Sequence, residues 1–141
     1  MSKSSRPHLR LTVDTDNLVL VIRLYRWREE TDEKPDLIGH LSLVAHPWKY
    51  NVLFDFRRFI GVINESDVST ILERWRKLDC PETLYPPLSR QLAVVSSDLS
   101  LRSLLLPHVD ALVHRRIDFF DTFDEGLDWL KAPPLPLRLS A

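Results

Sequence analysis

Cysteine is almost missing from this chain: Cys80 is the only one in 141 residues. A lone cysteine closes no internal disulfide, which fits a reducing compartment. Glycine is nearly as scarce. Gly39, Gly61 and Gly126 are the only three and stand far apart. Loops that cradle phosphate need clustered glycines so that backbone amides can approach the anion, which excludes a P-loop or a dinucleotide fingerprint. Charge of one sign is lacking too, since the net charge is −1. No global field gathers nucleic acid or an anionic membrane. The basic clusters Arg57-Arg58, Arg74-Arg76-Lys77 and Arg115-Arg116 are interleaved with acids and read as solvated faces. No apolar run approaches the ~20 residues of a membrane helix. Met1 to Arg10 has no apolar stretch of the kind a signal peptide carries. The expectation is a cytoplasmic protein with no nucleic-acid partner and no membrane insertion.

Catalytic patterns are absent as well. There is no Gly-x-Ser-x-Gly elbow, and Cys80 precedes Pro81 with no histidine nearby. The five histidines, His8, His40, His46, His108 and His114, form no i, i+4 pair and no zinc spacing. The expectation is no enzyme, no catalytic residue, no metal and no cofactor.

What is present is a regular alternation of apolar segments. The hydrophobic fraction is 44% and the charged fraction 28%, ordinary for a globular chain. Leu9, Leu11 and Val13 alternate with Arg10, Thr12 and Asp14, which predicts a half-buried strand. Asp14 to Asn17 is turn chemistry. Leu18 to Tyr25, almost continuously apolar, predicts a strand buried on both faces, so the two make a hairpin. Pro35-Asp36 opens a helix carrying Leu37, Leu41, Val44 and Ala45, and Pro47 ends it. Asn51 to Phe56 reads as a strand. Asn64 to Leu78 is the clearest helix, with Val68, Ile71, Leu72, Trp75 and Leu78 on one stripe. Gln91 to Ser96 is a further strand. Leu101, Leu104, Leu105 and Leu112 mark a helix that Pro107 must kink or split. Ile117 to Phe120 is the last strand, and Thr122-Phe123-Asp124-Glu125 is a capping box for a helix running to about Lys131. Gly126 falls inside that helix, which predicts close helix-to-sheet packing.

This order predicts an α/β fold: a mixed, mainly parallel sheet of about five strands, with an N-terminal β-hairpin and helices packed largely on one face. Residues 9–131 form the domain, between a flexible stretch at 1–8 and a Pro/Leu-rich tail at 132–141.

The element order, the string Val52-Leu53-Phe54-Asp55-Phe56 before a long helix, and the ending Phe120-Asp121-Thr122-Phe123-Asp124-Glu125-Gly126-Leu127-Asp128-Trp129-Leu130 resemble the STAS-like (SpoIIAA-like) domain family. That resemblance implies a switchable module for binding a protein or a small ligand rather than catalysis. In the anti-sigma-factor antagonists of the family, an Asp-Ser-Ser-Gly stretch opens the helix after the third strand and is phosphorylated on serine. Asn64-Glu65-Ser66-Asp67 stands at that place, and Ser66 falls on the second serine, which makes it the regulatory candidate.

From the residues themselves, Asp55 and Arg57 follow the apolar core of a strand, at the carboxyl end where α/β sheets take ligands. They are candidate ligand or partner contacts, with a structural ion pair as the plainer role. Trp75 and Trp129 lie at core spacing, whereas Trp27 and Trp48 flank loops as candidate interface aromatics. The leucines of Pro133-Pro134-Leu135-Pro136-Leu137-Arg138-Leu139 call for a cover, in cis or across a homodimer. The expected function is a non-catalytic regulatory or protein-interaction module. The alternative is a carrier or sensor of a small apolar ligand, which a Leu- and Phe-lined pocket beyond about 300 Å³ would favour.

Overall fold

A computed structural model describes residues 9–26, 37–61, 63–79, 90–109 and 115–131. The Pro35-Asp36 helix start, Trp27, Cys80, Leu112 and the 132–141 tail lie outside the described residues, as do the side chains of Trp48 and Leu78.

Strand β1 (Leu9–Asp14) and strand β2 (Val19–Leu24) pair antiparallel, from Leu9 opposite Leu24 to Asp14 opposite Val19. The turn between them closes on Asp14, whose carboxylate accepts from the Asn17 backbone amide at 3.2 Å and its side-chain amide at 2.8 Å. Leu18 leaves the turn at φ 56°, a left-handed conformation costly for a residue with a Cβ. Its carbonyl is held by the amide of Asn51 at 2.9 Å.

From β2 onward every neighbour is parallel. Strands β3 (Asn51–Asp55), β4 (Arg90–Val95) and β5 (Arg115–Phe120) add in chain order, so the sheet reads β1-β2-β3-β4-β5. Right-handed crossovers that always step the same way place every connecting helix on one face. Helices α1 (Leu37–Ser42), α2 (Glu65–Asp79) and α3 (Leu99–Leu105) accordingly share one core with Leu20, Ile22, Leu24, Val52, Phe54, Leu92 and Val94. Trp75, 2% exposed, sits edge-on to Phe54 with ring centroids 5.5 Å apart.

Two details differ from the sequence expectation. Helix α1 stops at Ser42, and Pro47 opens a 3-10 turn, Pro47–Lys49, instead of ending the helix. Proline suits the first position of such a turn because its missing amide has no partner there anyway. Pro107 splits its helix as expected, and a second 3-10 turn, Leu106–His108, follows α3.

The other face of the sheet carries Val19, Val21, Leu53, Ala93 and Val95, and helix α4 (Phe123–Lys131) covers it. The backbone amide of Glu125 donates to Thr122 Oγ1 at 3.1 Å, which is one half of the expected capping box. Running back beneath β4 and β3, α4 ends where the Leu130 carbonyl accepts from Asn51 Nδ2 at 2.9 Å. Gly126 permits this closeness: a Cβ there would lie 3.0 Å from Val95 Cγ2 and 3.5 Å from Ala93 Cβ. Val95 is fully buried in an inner strand and β-branched, so it cannot yield. Gly126→Leu should therefore cost about 1–3 kcal/mol by overpacking, despite leucine's better helix propensity. Urea unfolding with an unchanged m-value would read the loss, and a variant as stable as the parent would contradict this packing.

Candidate functional site

The carboxyl ends of β2 and β3 meet at a cleft of about 450 Å³ lined by Arg23, Tyr25, Asp55, Arg57 and Arg58. The chain after β3 is pinned there by its backbone. Phe56 N donates to Val95 O at 3.0 Å, Phe59 N to Phe56 O at 3.0 Å, and Ile60 N to Tyr25 O at 2.8 Å. A short parallel bridge between Arg26 and Ile60 extends the pairing beyond β2 and β3. Arg57 and Arg58 are thereby carried on a braced turn.

Asp55 is the organising group of the cleft. It is 5% exposed, and Arg57 claims both its oxygens: Nε donates to Oδ1 at 2.9 Å and one terminal nitrogen to Oδ2 at 2.9 Å. The Arg57 backbone amide adds a third bond to Oδ1 at 3.0 Å, and Arg23 Nε approaches to 3.6 Å. Burial pushes the Asp55 carboxyl up, but the hydrogen bonds and charge of Arg57, with Arg23 behind them, outweigh burial and hold it below the usual carboxylate range. Hydrogen bonding to Asp55 in turn raises Arg57, against a smaller desolvation, with Asp124 adding to the field. Both guanidinium groups lie over the ring of Phe123, Arg57 at 4.9 Å and Arg23 at 5.4 Å from its centre. The first residue of α4 thus supports two of the arginines that line the cleft.

A second depression, about 230 Å³, lies between the 59–63 segment and the start of α3, lined by Phe59, Gly61, Ile63, Asp98, Leu101 and Leu104 among others. Ile60 and Leu99, in the two segments that form it, are 71% and 74% exposed. Asp98 is spent as the N-cap of α3, accepting from Ser100 N at 2.9 Å and Leu101 N at 3.4 Å. Arg102 braces the same edge, donating to Ser96 O at 2.8 Å and pairing with Asp121 at 2.6 Å.

Among the described residues the apolar core holds a cavity of about 80 Å³ between the sheet and α2 and α3, lined by Phe54, Trp75, Leu105, Ile117 and others. That is several-fold below the roughly 300–1,000 Å³ of ordinary ligand pockets.

The structure brings Asp55 and Arg57 together as one ion pair. Ser66 lines none of these cavities. It is exposed in the first turn of α2, and Asn64 is the cap: Asn64 Oδ1 accepts from Asp67 N at 2.9 Å, and Asp67 Oδ2 accepts from Asn64 N at 3.1 Å. Arg23, Tyr25 and Arg58 escaped the sequence reading. Arg23 carries a signal, as the single charge in an otherwise apolar strand; Arg58, exposed, reads in sequence as part of a solvated basic cluster. No group of three or more potential metal ligands occurs among the described residues, and no helix there is long and apolar enough to cross a membrane.

No protein-family model matches the chain, and no curated protein matches it. Among solved structures, an uncharacterized protein of the DUF3478 family from Shewanella loihica PV-4, described as having a SpoIIAA-like fold, is similar. It is 13% identical, with 92% of this chain and 99% of that one covered and a TM-score of 0.49.

Two outcomes are expected from this geometry. Asp55, depressed in the folded state, contributes stability that is present above the unfolded carboxyl range and is lost as pH falls below that range through its lowered folded value. Arg57→Ala leaves the carboxylate buried without those bonds, so it should cost about 1–3 kcal/mol at neutral pH. Chemical denaturation should show the gap to the parent narrowing in acid, where protonation relieves the stranded charge; a gap constant with pH would refute this account of the pair. At α2, Asn64→Ala should cost about 1 kcal/mol, whereas Ser66→Ala should stay within about 0.5 kcal/mol in the same assay.

Proposed function

We propose that this chain is a non-catalytic regulatory or protein-interaction module of the STAS-like type, engaging a polypeptide partner through the groove between the 59–63 segment and α3. The observation that carries the reading is that the two segments forming it each expose a large apolar residue, Ile60 at 71% and Leu99 at 74%. Single exposed apolar residues are ordinary. Two in the segments that form one depression, itself lined by Phe59, Ile63, Leu101 and Leu104, favour an interaction site there. Because the Asp98 carboxylate is committed to α3, the groove favours an apolar anchor over a charged one.

Two further observations support the same reading. The one carboxylate in the strand-end cleft has both oxygens on Arg57 and is held ionised, a poor candidate for exchanging protons near neutral pH. The apolar cavity, at about 80 Å³, is too small for the carrier alternative among the described residues. In this reading Ser66 is the place for a regulatory phosphate, which would add about −1.5 to −2 charges to an exposed helix start. A second copy of the chain is one possible partner.

The test is a photo-crosslinking residue at position 99, in the parent and in Ile60→Asp. Ile60 is exposed, so the fold should survive the change. One discrete adduct that disappears in Ile60→Asp is the expected result, and an adduct of twice the chain's mass identifies the homodimer. A diffuse smear, no adduct, or an adduct indifferent to Ile60→Asp would overturn the groove as the docking surface.

A further inference from the structure

We infer that the cleft at the carboxyl ends of β2 and β3 is a binding site for a small phosphate monoester, held by Arg23, Arg57 and Arg58. This inference stands apart from the docking groove and survives if that reading fails.

Charge comes first. Three arginines and one aspartate line the cleft, a net of two positive charges. Asp124, which adds to the field on Arg57 from the first turn of α4, does not line it. Asp55 neutralises Arg57 through its two-pronged bond. Arg23 shares the same carboxylate as a longer ion pair at 3.6 Å, so it adds a second cation to a charge already matched. Arg58 has no ion pair among the described residues. Two cations therefore remain to be matched, the charge of a phosphate monoester near neutral pH, whose second ionisation lies at about 6.

Hydrogen-bonding capacity points the same way. The single carboxylate of the wall is consumed by Arg57, so its lining side chains present guanidinium donors and the phenol of Tyr25. Asp55 takes Nε and one terminal nitrogen of Arg57, leaving the other terminal nitrogen to turn toward a ligand. A wall rich in donors recognises a group made of acceptors, and arginine's planar fork suits the oxygens of phosphate.

Position and stiffness complete the case. Arg23 and Arg57 lie over Phe123, and Arg57 is held again by Asp55, so their rotamer freedom is largely spent before a ligand arrives. At about 450 Å³ the cleft exceeds one phosphate ion and falls within the range of small-molecule sites. Room for an organic group beyond the phosphate is why a monoester is proposed instead of the free ion.

The experiment is a titration of the whole chain with phenyl phosphate, inorganic phosphate and benzoate, followed by amide resonances and repeated on Arg58→Gln and Arg23→Gln. Phenyl phosphate should give saturable shifts centred on Tyr25, Arg57 and Arg58. Each substitution should weaken it about tenfold, the loss of one charge-assisted hydrogen bond. Arg58 is exposed, so its removal spares the fold, and unchanged shifts elsewhere verify that. Benzoate, with one charge, should bind about tenfold more weakly. No saturation, equal affinity in Arg58→Gln, shifts centred elsewhere, benzoate as tight as phenyl phosphate, or inorganic phosphate tighter than phenyl phosphate would each overturn the assignment.

Discussion

The close approach of one short helix to the second face of the sheet governs more of this molecule than its nine residues suggest. Three helices share the first face, and the strands feeding them step in one direction across the sheet. That arrangement leaves Val19, Val21, Leu53, Ala93 and Val95 to be covered by the last element of the domain. Helix α4 covers them at a separation that leaves no easy room for a Cβ at position 126. Its far end is tied to β3 through Asn51, which also accepts from the amide of Gln91 at 2.9 Å and so couples helix, β3 and β4 at one point.

The same helix shapes the strand-end cleft. Because α4 begins beside the carboxyl ends of β2 and β3, its first residue, Phe123, lies under two guanidinium groups. A hydrophobic requirement, sealing the sheet, thus sets the position of polar groups on the rim. Asp55 does the rest: one buried carboxylate with both oxygens on Arg57 fixes the side chain and orders the turn that presents Arg58. At the opposite end of the sheet a different device operates. Arg115, 5% exposed, donates to the carbonyl of Tyr50 at 2.7 Å and of Pro47 at 3.3 Å, so a buried cation braces the 3-10 turn. Arg90 joins it through the Lys49 carbonyl at 2.9 Å; burial lowers its affinity for its proton, and the charge of Arg115 adds to that.

The pattern of legibility follows the range of the physics involved. Strand β2 was readable because its residues are buried on both faces, and continuous apolarity is a local property. The hairpin was readable from Asp14 and Asn17, which bond to each other three residues apart. Pro47 misled because proline stops one helix as readily as it opens a turn, and only the packing around it selects between them. At the start of α2 the cap is set by the reciprocal bonds of Asn64 and Asp67, which leave Ser66 exposed.

From the residues alone came the fold class, the strand and helix order, the need for close packing at Gly126 and the prominence of Asp55 and Arg57. Each is written in periodicity or in neighbours a few positions apart. The cleft itself was not written there. Arg23 and Arg57 are separated by an intervening helix and a strand, and only the parallel register that sets Arg23 opposite Asp55 brings them to one carboxylate. Phe123 reaches them from the end of the fold, after the chain has crossed to the other face. Local patterning determines which segments must be buried; which charged groups then meet on the rim is decided by strand register and by the face each helix takes.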